Sequence, residues 1–337
     1  MKKISLQANG GKKVITIDFP EQASEIKLAQ YIDFDIANRV MLKWMEETEL
    51  DVATDEWQRE HVRHLLHILS EFTRTKLADT TLPVGDLEAH LMHISGQKDG
   101  SIDFDNWQVT LTQLYAAIFT ALASFTPQTF TKEQDCVFEY KGKKFKIPTA
   151  YMDAITGKRV FPSTPAGLVV EALEIKRLWQ QNIEADKDGS LTYTSYLKLV
   201  ALLVKEEGQE LPLASRQRLS EFIEKRIRFF ADIPMNVAMN IHKWLLDYYG
   251  YLESSPALYW FFNPPKPAVS SVEESRALDK AKLENEARWK RSGYQFILHR
   301  TMKSGYFNGL GKTPYESARL APFEETLEQI SLENAVH

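Results

Sequence analysis

The sequence predicts a mainly α-helical protein of the α+β class, in which helical domains accompany two small β-hairpin units near residues 3–19 and 136–148. Apolar residues recur at intervals of three and four over most of the chain, which is typical of amphipathic helices. Two short stretches instead alternate apolar and polar residues around a glycine-containing turn, which is typical of hairpins. Each of these stretches ends in a proline, Pro20 or Pro148, where strand pairing stops.

The first hairpin is predicted from alternation at residues 4–8 and 14–19 around a turn that contains Asn9 and two glycines. A helix follows, with Ser24 as its N-cap and an apolar face that folds back on the hairpin. The second hairpin, residues 136–148, has a similar Gly-Lys-Lys turn. The likeness indicates a duplicated unit, and two unrelated hairpins of similar sequence are the alternative.

Changes in composition divide the chain into six predicted parts. The clearest boundary is a stretch of prolines and polar residues, because such a sequence favours a stiff, extended linker. The parts are an N-terminal hairpin-helix unit (1–34), a helical domain (35–131), a second hairpin unit (132–165), an aromatic-rich helical domain (166–262), the proline-rich linker (263–271) and a C-terminal helical segment (272–337).

The charge balance and the cysteine content exclude several classes of protein. The chain has 41 Lys and Arg against 46 Asp and Glu, a formal net charge of −5, so we expect no nucleic-acid partner. The single Cys136 cannot form an intramolecular disulfide, and its apolar neighbours predict a buried, unreactive thiol. No apolar stretch follows the opening Met1-Lys2-Lys3, so we expect no signal peptide.

No charged residue occurs between Asn106 and Thr131, a stretch long enough to cross a bilayer. Its periodicity favours a helix within a protein core. One face carries the larger apolar residues Leu111, Leu114, Tyr115, Ile118, Phe119 and Leu122. The other face carries the small neutral residues Thr112, Gln113, Ala116, Ala117, Thr120 and Ser124. We therefore predict a helix that is buried on two sides, whose small face lets a second helix approach closely, with membrane insertion as the alternative.

Five of the eight histidines lie between His61 and His93. Histidines three residues apart on one helical face can share a metal, so His61, His64, His90 and His93 are the candidate zinc ligands. His67 lies further round the helix. Three ligands from one straight helix cannot converge, so a site needs His90 or His93 to be brought across by folding. Packed or exposed imidazoles are the alternative.

Two Lys-Asp-Gly-Ser sequences resemble the middle of a calcium-binding EF-hand loop. In the later copy, Glu184, Asp186 and Asp188 take the first three ligand positions, but Ser195 stands where a bidentate Glu belongs. The earlier copy, residues 98–105, supplies fewer carboxylates. Calcium is therefore a candidate ligand at the later loop, and an Asp-Gly turn without a metal is the alternative.

The sequence Gly309-Leu-Gly-Lys-Thr313 resembles part of a phosphate-binding loop, but Tyr306 stands where the leading glycine belongs. Pro314 instead predicts that the loop ends one helix and starts the next. The chain has no Gly-x-Ser-x-Gly elbow and no paired-carboxylate motif. We therefore expect no enzymatic activity, with a catalytic site assembled only in the fold as the alternative.

Aromatic residues are concentrated near residues 244–262. Tyr and Trp are enriched at protein interfaces, so this region and the charged C-terminal helix are predicted to dock to a partner. The predicted interface residues are Trp244, Tyr248, Tyr249, Tyr259, Trp260, Phe261 and Trp289. The alternative is that the aromatic side chains fill the core of the second helical region.

Five segments resemble virion-associated and tail-assembly proteins of tailed bacteriophages, especially the crAss-like phages of Bacteroides-type hosts. They are residues 18–21, 25–32, 140–148, 314–317 and 323–328, and the resemblance extends over about a third of the chain. It rests on the order of these segments along the chain and on the general character of their sequences. The resemblance implies a structural or assembly role without catalysis, other virion or tail proteins or a second copy as partners, and a location in the virion or the host cytoplasm during assembly. The alternative is a calcium- or zinc-dependent binding module or enzyme.

Overall fold

A computed structural model describes residues 2–8, 13–74, 104–263, 280 and 292–336. These residues are mainly α-helical with small antiparallel sheets, which confirms the predicted fold class. The chain forms two compact units. Unit 1 comprises Met1–Pro127, Asp186–Tyr193 and Asp232–Val237, and unit 2 comprises Gln128–Ala185, Thr194–Ala231 and Ala238–His337.

Unit 1 opens with a hairpin and continues with helices. Strand β1 (Lys2–Ala8) pairs antiparallel with β2 (Lys13–Phe19), so the first predicted hairpin is confirmed. Its helices within the described residues are α1 (Leu28–Glu47), α2 (Asp55–Thr73) and α3 (Phe104–Ala123).

The start of α1 differs from the prediction. Ser24 lies in a separate 3-10 turn, Ala23–Glu25, and does not cap α1. The side chain of Gln30 instead accepts a hydrogen bond from the Lys27 backbone N–H at 3.0 Å. An isolated antiparallel bridge between Lys27 and Pro234 also fixes this end. The start of α1 is thus fixed both by a local contact and by a contact with a residue distant in sequence.

Helix α2 shows why these sequences form helices. The Thr54 side chain accepts a hydrogen bond from the Trp57 N–H, which satisfies one of the free donors at the helix start. Arg74, in the left-handed conformation with φ 52°, ends the helix. Its apolar stripe is buried against α1, where the rings of Phe34 and Phe72 meet edge to face at 5.9 Å. Each such buried side chain contributes roughly 1.5–3 kcal/mol.

Unit 2 contains the second predicted hairpin, which is confirmed, and three short strands that the sequence did not predict. Strands β3 (Val137–Tyr140) and β4 (Lys143–Lys146) are joined through Lys141 and Gly142, both with positive φ, as a two-residue hairpin turn requires. Strands β5 (Tyr151–Met152) and β6 (Arg159–Val160) pair separately, and β7 (Lys205–Glu206) pairs with the free side of β4.

The helices of unit 2 form its core. The ones that the structure describes are α4 (Ala166–Asn182), α5 (Ser190–Leu203, of which Thr194 onwards belongs to this unit), α6 (Arg216–Phe229), α7 (Met235–Glu253, from Ala238), α8 (Tyr259–Phe262), α9 (Gln295–Ser304), α10 (Pro314–Leu320) and α11 (Phe323–Val336). The fully buried Arg319 lies between them, 3.0 Å from the Glu171 carboxylate and 2.7 Å from the Leu213 carbonyl oxygen. The ion pair and the hydrogen bond offset part of the cost of burying this charge.

Three predicted boundaries need correction. Helix α1 runs through the boundary predicted at residue 34, and residues 132–165 belong to the same compact unit as α4. The described C-terminal residues 292–336 belong to unit 2, where the Ala166 N–H donates to the Ala321 carbonyl oxygen at 2.7 Å and Phe323 is buried. The predicted linker beyond residue 263 lies outside the described residues.

Candidate interaction surface

Helix α3 of unit 1 is buried on one side only. Leu111, Ile118 and Ala121 are buried. The opposite side is exposed along its length, from the first described side chains to the end of the helix, where Pro127 follows. The exposed residues are Thr112, Gln113, Ala116, Ala117, Phe119, Thr120, Ala123 and Ser124. We call this set the α3 face. The prediction that this helix is buried on two sides is therefore wrong.

A ladder of aromatic contacts holds α3 against α1. The ring of Tyr115 stacks on Phe34 at 5.8 Å, and its hydroxyl donates a hydrogen bond to the Asn38 side chain at 2.8 Å. Burial raises the pKa of Tyr115, so its hydroxyl keeps its proton. Phe119 stacks on Tyr115 at 6.1 Å but is 50% exposed, although the sequence placed it on the buried face. The exposed Phe119 ring therefore sits at the edge of a rigid surface.

The α3 face carries no charge. On α6, by contrast, the exposed positions include Arg216, Glu221 and Arg228. Charged side chains are depleted at the centres of protein interfaces, because their desolvation is costly. Among the described residues, no helix combines the length and apolar character that a membrane crossing needs. The chemistry of this face therefore suits contact with another uncharged protein surface.

The candidate zinc ligands that the structure describes pack against tryptophans. The His61 ring stacks on Trp57 at 4.8 Å, and the His64 ring lies 4.8 Å from Trp44. Burial lowers the pKa of both imidazoles. His90 and His93 lie outside the described residues. Within the described part of the chain, no three His, Cys, Asp or Glu side chains are grouped to hold a metal.

The candidate calcium loop starts helix α5. The Asp186 carboxylate accepts hydrogen bonds from the Leu191 and Thr192 backbone N–H groups at 3.0 and 2.7 Å. Asp188 accepts one from the Ser190 N–H at 3.1 Å. Glu184 is exposed in the preceding 3-10 turn, Ile183–Ala185. Two of the three candidate carboxylates are thus occupied by backbone donors of the first helical turn. The earlier copy of the loop lies largely outside the described residues.

The glycine-rich loop before α10 is a helix start, as predicted. The Thr313 hydroxyl accepts a hydrogen bond from the Glu316 N–H at 3.2 Å, and Pro314 occupies the first helical turn. The Glu316 carboxylate in turn accepts one from the Lys312 N–H at 2.8 Å. The chain's own carboxylate therefore occupies the place where a phosphate would bind in a phosphate-binding loop.

The predicted aromatic interface divides into two groups. Trp244 and Tyr248 are 2% and 0% exposed and stack on each other at 5.2 Å, so they belong to the core and not to an accessible interface. Tyr249 and Phe261 are partly buried, and Tyr259 is 53% exposed. The side chains of Trp260 and Trp289 lie outside the described residues. The alternative interpretation, in which the aromatic side chains fill the core, is therefore correct for Trp244 and Tyr248.

The sequence contains a signal for the α3 face, although the burial predicted from it is wrong. An uncharged stretch with a small-residue face predicts a close helix neighbour, and this periodicity does not say whether the neighbour belongs to the same chain.

Comparison of this chain with protein-family models, with curated proteins and with solved structures finds no match in any of the three.

Proposed function

We propose that the chain is a non-enzymatic structural or tail-assembly protein of a bacteriophage virion, and that it acts through protein–protein contacts of the α3 face. The observation that carries the contact part is an exposed helix face without charge, bordered by the exposed ring of Phe119. The phage part rests on the resemblance of residues 18–21, 25–32 and 140–148 and of the two C-terminal segments.

The occupant of the α3 face is a second copy of this chain. Two identical uncharged faces meet without like-charge contacts. Thr112, Ala116 and Thr120 recur every four residues on this face, and such small side chains let two helix axes approach closely. Twofold-symmetric dimers, in which the same patch faces itself, are the commonest soluble oligomers.

The experiment is size-exclusion chromatography with light scattering on the full chain over a range of concentrations. The wild-type protein is expected to form a dimer. Ala116→Glu is expected to give a monomer, because the dimer would bury two unpaired carboxylates. Ser220→Glu, which adds the same charge at an exposed position of α6, serves as the control and is expected to remain dimeric. Circular dichroism checks that both variants stay helical.

A wild-type monomer at all concentrations, or an Ala116→Glu variant with the wild-type mass, contradicts self-association through this face. The phage part is tested separately, by the genes that flank the gene for this chain. Genes for tail or head components are the expected neighbours. A neighbourhood of host metabolic genes would contradict the virion assignment.

A further inference from the structure

Unit 2 presents one apolar side chain almost wholly to solvent. Ile155 lies in the turn between β5 and β6 and is 94% exposed, more than any other large apolar side chain that the structure describes. Tyr151 and Met152 of β5 are half exposed as well. We call residues 153–158, with Ile155 among them, the knob.

Hydrogen bonds hold the knob in one conformation. The Asp153 carboxylate accepts them from the backbone N–H groups of Ile155 and Thr156, at 3.0 and 2.6 Å. The Asp153 N–H donates to the Lys158 carbonyl oxygen at 2.9 Å, and Gly157 has a positive φ of 63°. A turn that is already ordered loses little conformational freedom when it binds, so the Ile155 side chain is prepared for a complementary cavity.

The same unit contains a pocket of about 250 Å³ that suits such a side chain. Its lining includes the buried Leu168 and Trp244. It also includes the exposed Pro162 and Ser163, so the pocket opens to the surface. A water-sized group takes up about 30 Å³, so the four-carbon side chain of Ile155 occupies roughly 120 Å³ and leaves part of the pocket free.

The knob and the pocket are neighbours in the fold. Thr149, two residues before β5, and Pro162, two residues after β6, both line the pocket. The hairpin therefore starts and ends at the edge of the pocket, yet the exposure of Ile155 shows that it does not enter the pocket of its own chain. A twofold axis beside this edge would bring each knob to the pocket of the other copy.

Area and charge both favour a second copy as the occupant. One inserted side chain buries far less than the roughly 1,200 Å² at which specific, stable interfaces begin, and reciprocal insertion doubles the buried area. None of the residues that line the pocket is acidic, and Lys205 among them is exposed. The knob has the opposite charge at Asp153, although Lys158 of the same turn offsets part of it. The apolar contact therefore supplies most of the attraction.

From these observations we propose that unit 2 binds a second copy of the chain by reciprocal insertion, in which Ile155 of each copy enters the pocket of the other against Leu168 and Trp244. The contact is separate from the α3 face and does not rest on it. Because its area is small, it forms at high local concentration and is lost in the dilute conditions of size-exclusion chromatography. A chain with two different twofold contacts can join copies into an extended array or a closed ring.

Site-specific photocrosslinking detects a weak contact of this kind. The full chain with Ala116→Glu, which removes the proposed α3 contact, is made with an aliphatic diazirine amino acid of similar size in place of Ile155. Illumination is expected to give crosslinked dimers in which residue 155 is joined to residues 147–149 or 162–168. The same probe in place of Leu332, which is 64% exposed in the same unit, is the control and is expected to give no dimer.

Variants test the knob and the pocket separately. Self-association of the Ala116→Glu chain is measured by sedimentation equilibrium at high concentration. Ile155→Asp is expected to weaken it roughly tenfold or more, because both apolar contacts are lost and a carboxylate would enter an apolar pocket. Ser163→Trp is expected to weaken it similarly by covering the pocket from its exposed edge. Leu332→Asp, with the same added charge, is expected to leave it unchanged, and circular dichroism checks the fold of each variant.

Three results would overturn the proposal. One is the absence of crosslinked dimers from position 155, which would include the case in which Ile155 binds only a different protein. The second is a dimer whose crosslinks from position 155 lie outside the pocket segments. The third is an equal loss of self-association in Leu332→Asp and Ile155→Asp. Failure of the α3 dimer leaves these outcomes unchanged, since every chain tested carries Ala116→Glu.

Discussion

The guanidinium nitrogen Nη1 of Arg226 lies 2.7 Å from the carbonyl oxygen of Val204. The same nitrogen donates to the Ala201 carbonyl at 2.8 Å, so one buried cation satisfies two acceptors at the carboxyl end of α5. The guanidinium also lies over the rings of Phe230 and Phe145, at 5.0 and 5.9 Å from their centroids. Arg226 thereby joins the end of α5 to strand β4, which carries Phe145.

Replacement of Arg226 by Ala is expected to lower the free energy of unfolding by roughly 2–4 kcal/mol, because two buried carbonyl groups lose their donor. Arg226→Lys is expected to recover only part of this loss, since a lysine lacks the planar guanidinium that lies over the Phe230 and Phe145 rings. Chemical denaturation followed by circular dichroism measures both. Arg228→Ala, two residues further along and exposed, is expected to change stability by less than about 0.5 kcal/mol. Equal effects at 226 and 228 would refute the capping role.

The glycine of the later Asp-Gly loop is required for packing as well as for backbone conformation. Gly189 has φ +67°, and a Cβ added there would lie 2.4 Å from Cδ1 of Ile36 and 2.6 Å from Cγ2 of Ile32. Gly208 has a similar φ of +76° with no atom within 4 Å. Gly189→Ala is therefore expected to destabilise the protein by roughly 1–3 kcal/mol more than Gly208→Ala. Thermal unfolding measures the stability of both variants. Equal losses of stability would show that the Ile32 and Ile36 side chains shift to make room for the added methyl group.

Asp186 is expected to act as a helix cap. Asp186→Ala should lower the free energy of unfolding by about 1–2 kcal/mol, the usual cost of losing a cap. Glu184→Ala, at an exposed position, is expected to cost less than about 0.5 kcal/mol. Calcium at millimolar concentration is expected to leave the melting temperature of the wild-type protein unchanged. A rise that Asp186→Ala abolishes would instead establish a calcium site, since a ligand of the folded state stabilises it.

His242 is expected to make unit 2 sensitive to acid. Its ring lies 5.3 Å from Trp179 and 5.5 Å from Tyr196. Burial, with a smaller effect from the Lys176 charge, lowers its pKa to about 4. Below pH 6.5 the unfolded chain binds a proton that the folded chain does not, so this group's contribution to stability falls as the pH drops toward 4. Because one pKa unit corresponds to about 1.4 kcal/mol, the total loss is about 3 kcal/mol.

The contribution of His242 is measured as the difference in unfolding free energy between the wild-type protein and His242→Phe over pH 4–7. Phe fills the ring site without titrating, so the wild-type protein is expected to lose more stability in acid. The exposed His299 gives a matched variant, His299→Phe, which controls for the introduction of a Phe ring. Parallel profiles for wild type and His242→Phe would show that His242 does not titrate in this range.

The buried and the exposed aromatic residues of this region are expected to differ in how much stability is lost when their side chains are truncated to Ala. Trp244→Ala should cost roughly 3–5 kcal/mol, because it removes a buried side chain that contacts Tyr248 and Phe161. Tyr259→Ala, at a 53% exposed position, should cost less than about 1 kcal/mol. Urea denaturation of both variants provides the comparison. A small effect at Trp244 would contradict its assignment to the core.

Local sequence determined most of the secondary structure. The alternating residues on either side of Lys141 and Gly142 form a hairpin, and Thr313 with Pro314 starts a helix, as predicted. These features depend on hydrogen bonds and steric preferences among residues within a few positions of each other. For the same reason the apolar stripe of α2 and its Thr54 cap were predictable from the sequence.

Tertiary structure decided which faces are covered and which side chains meet. Lys146 and Lys205 are 59 positions apart, and only the pairing of β7 with β4 brings them together. Trp244 and Tyr259 belong to one aromatic-rich stretch, yet one is buried and the other exposed. The α3 face has the composition of a covered helix surface but is exposed in the single chain. Burial depends on contacts between residues far apart in sequence, and a pattern within one segment contains no information about them.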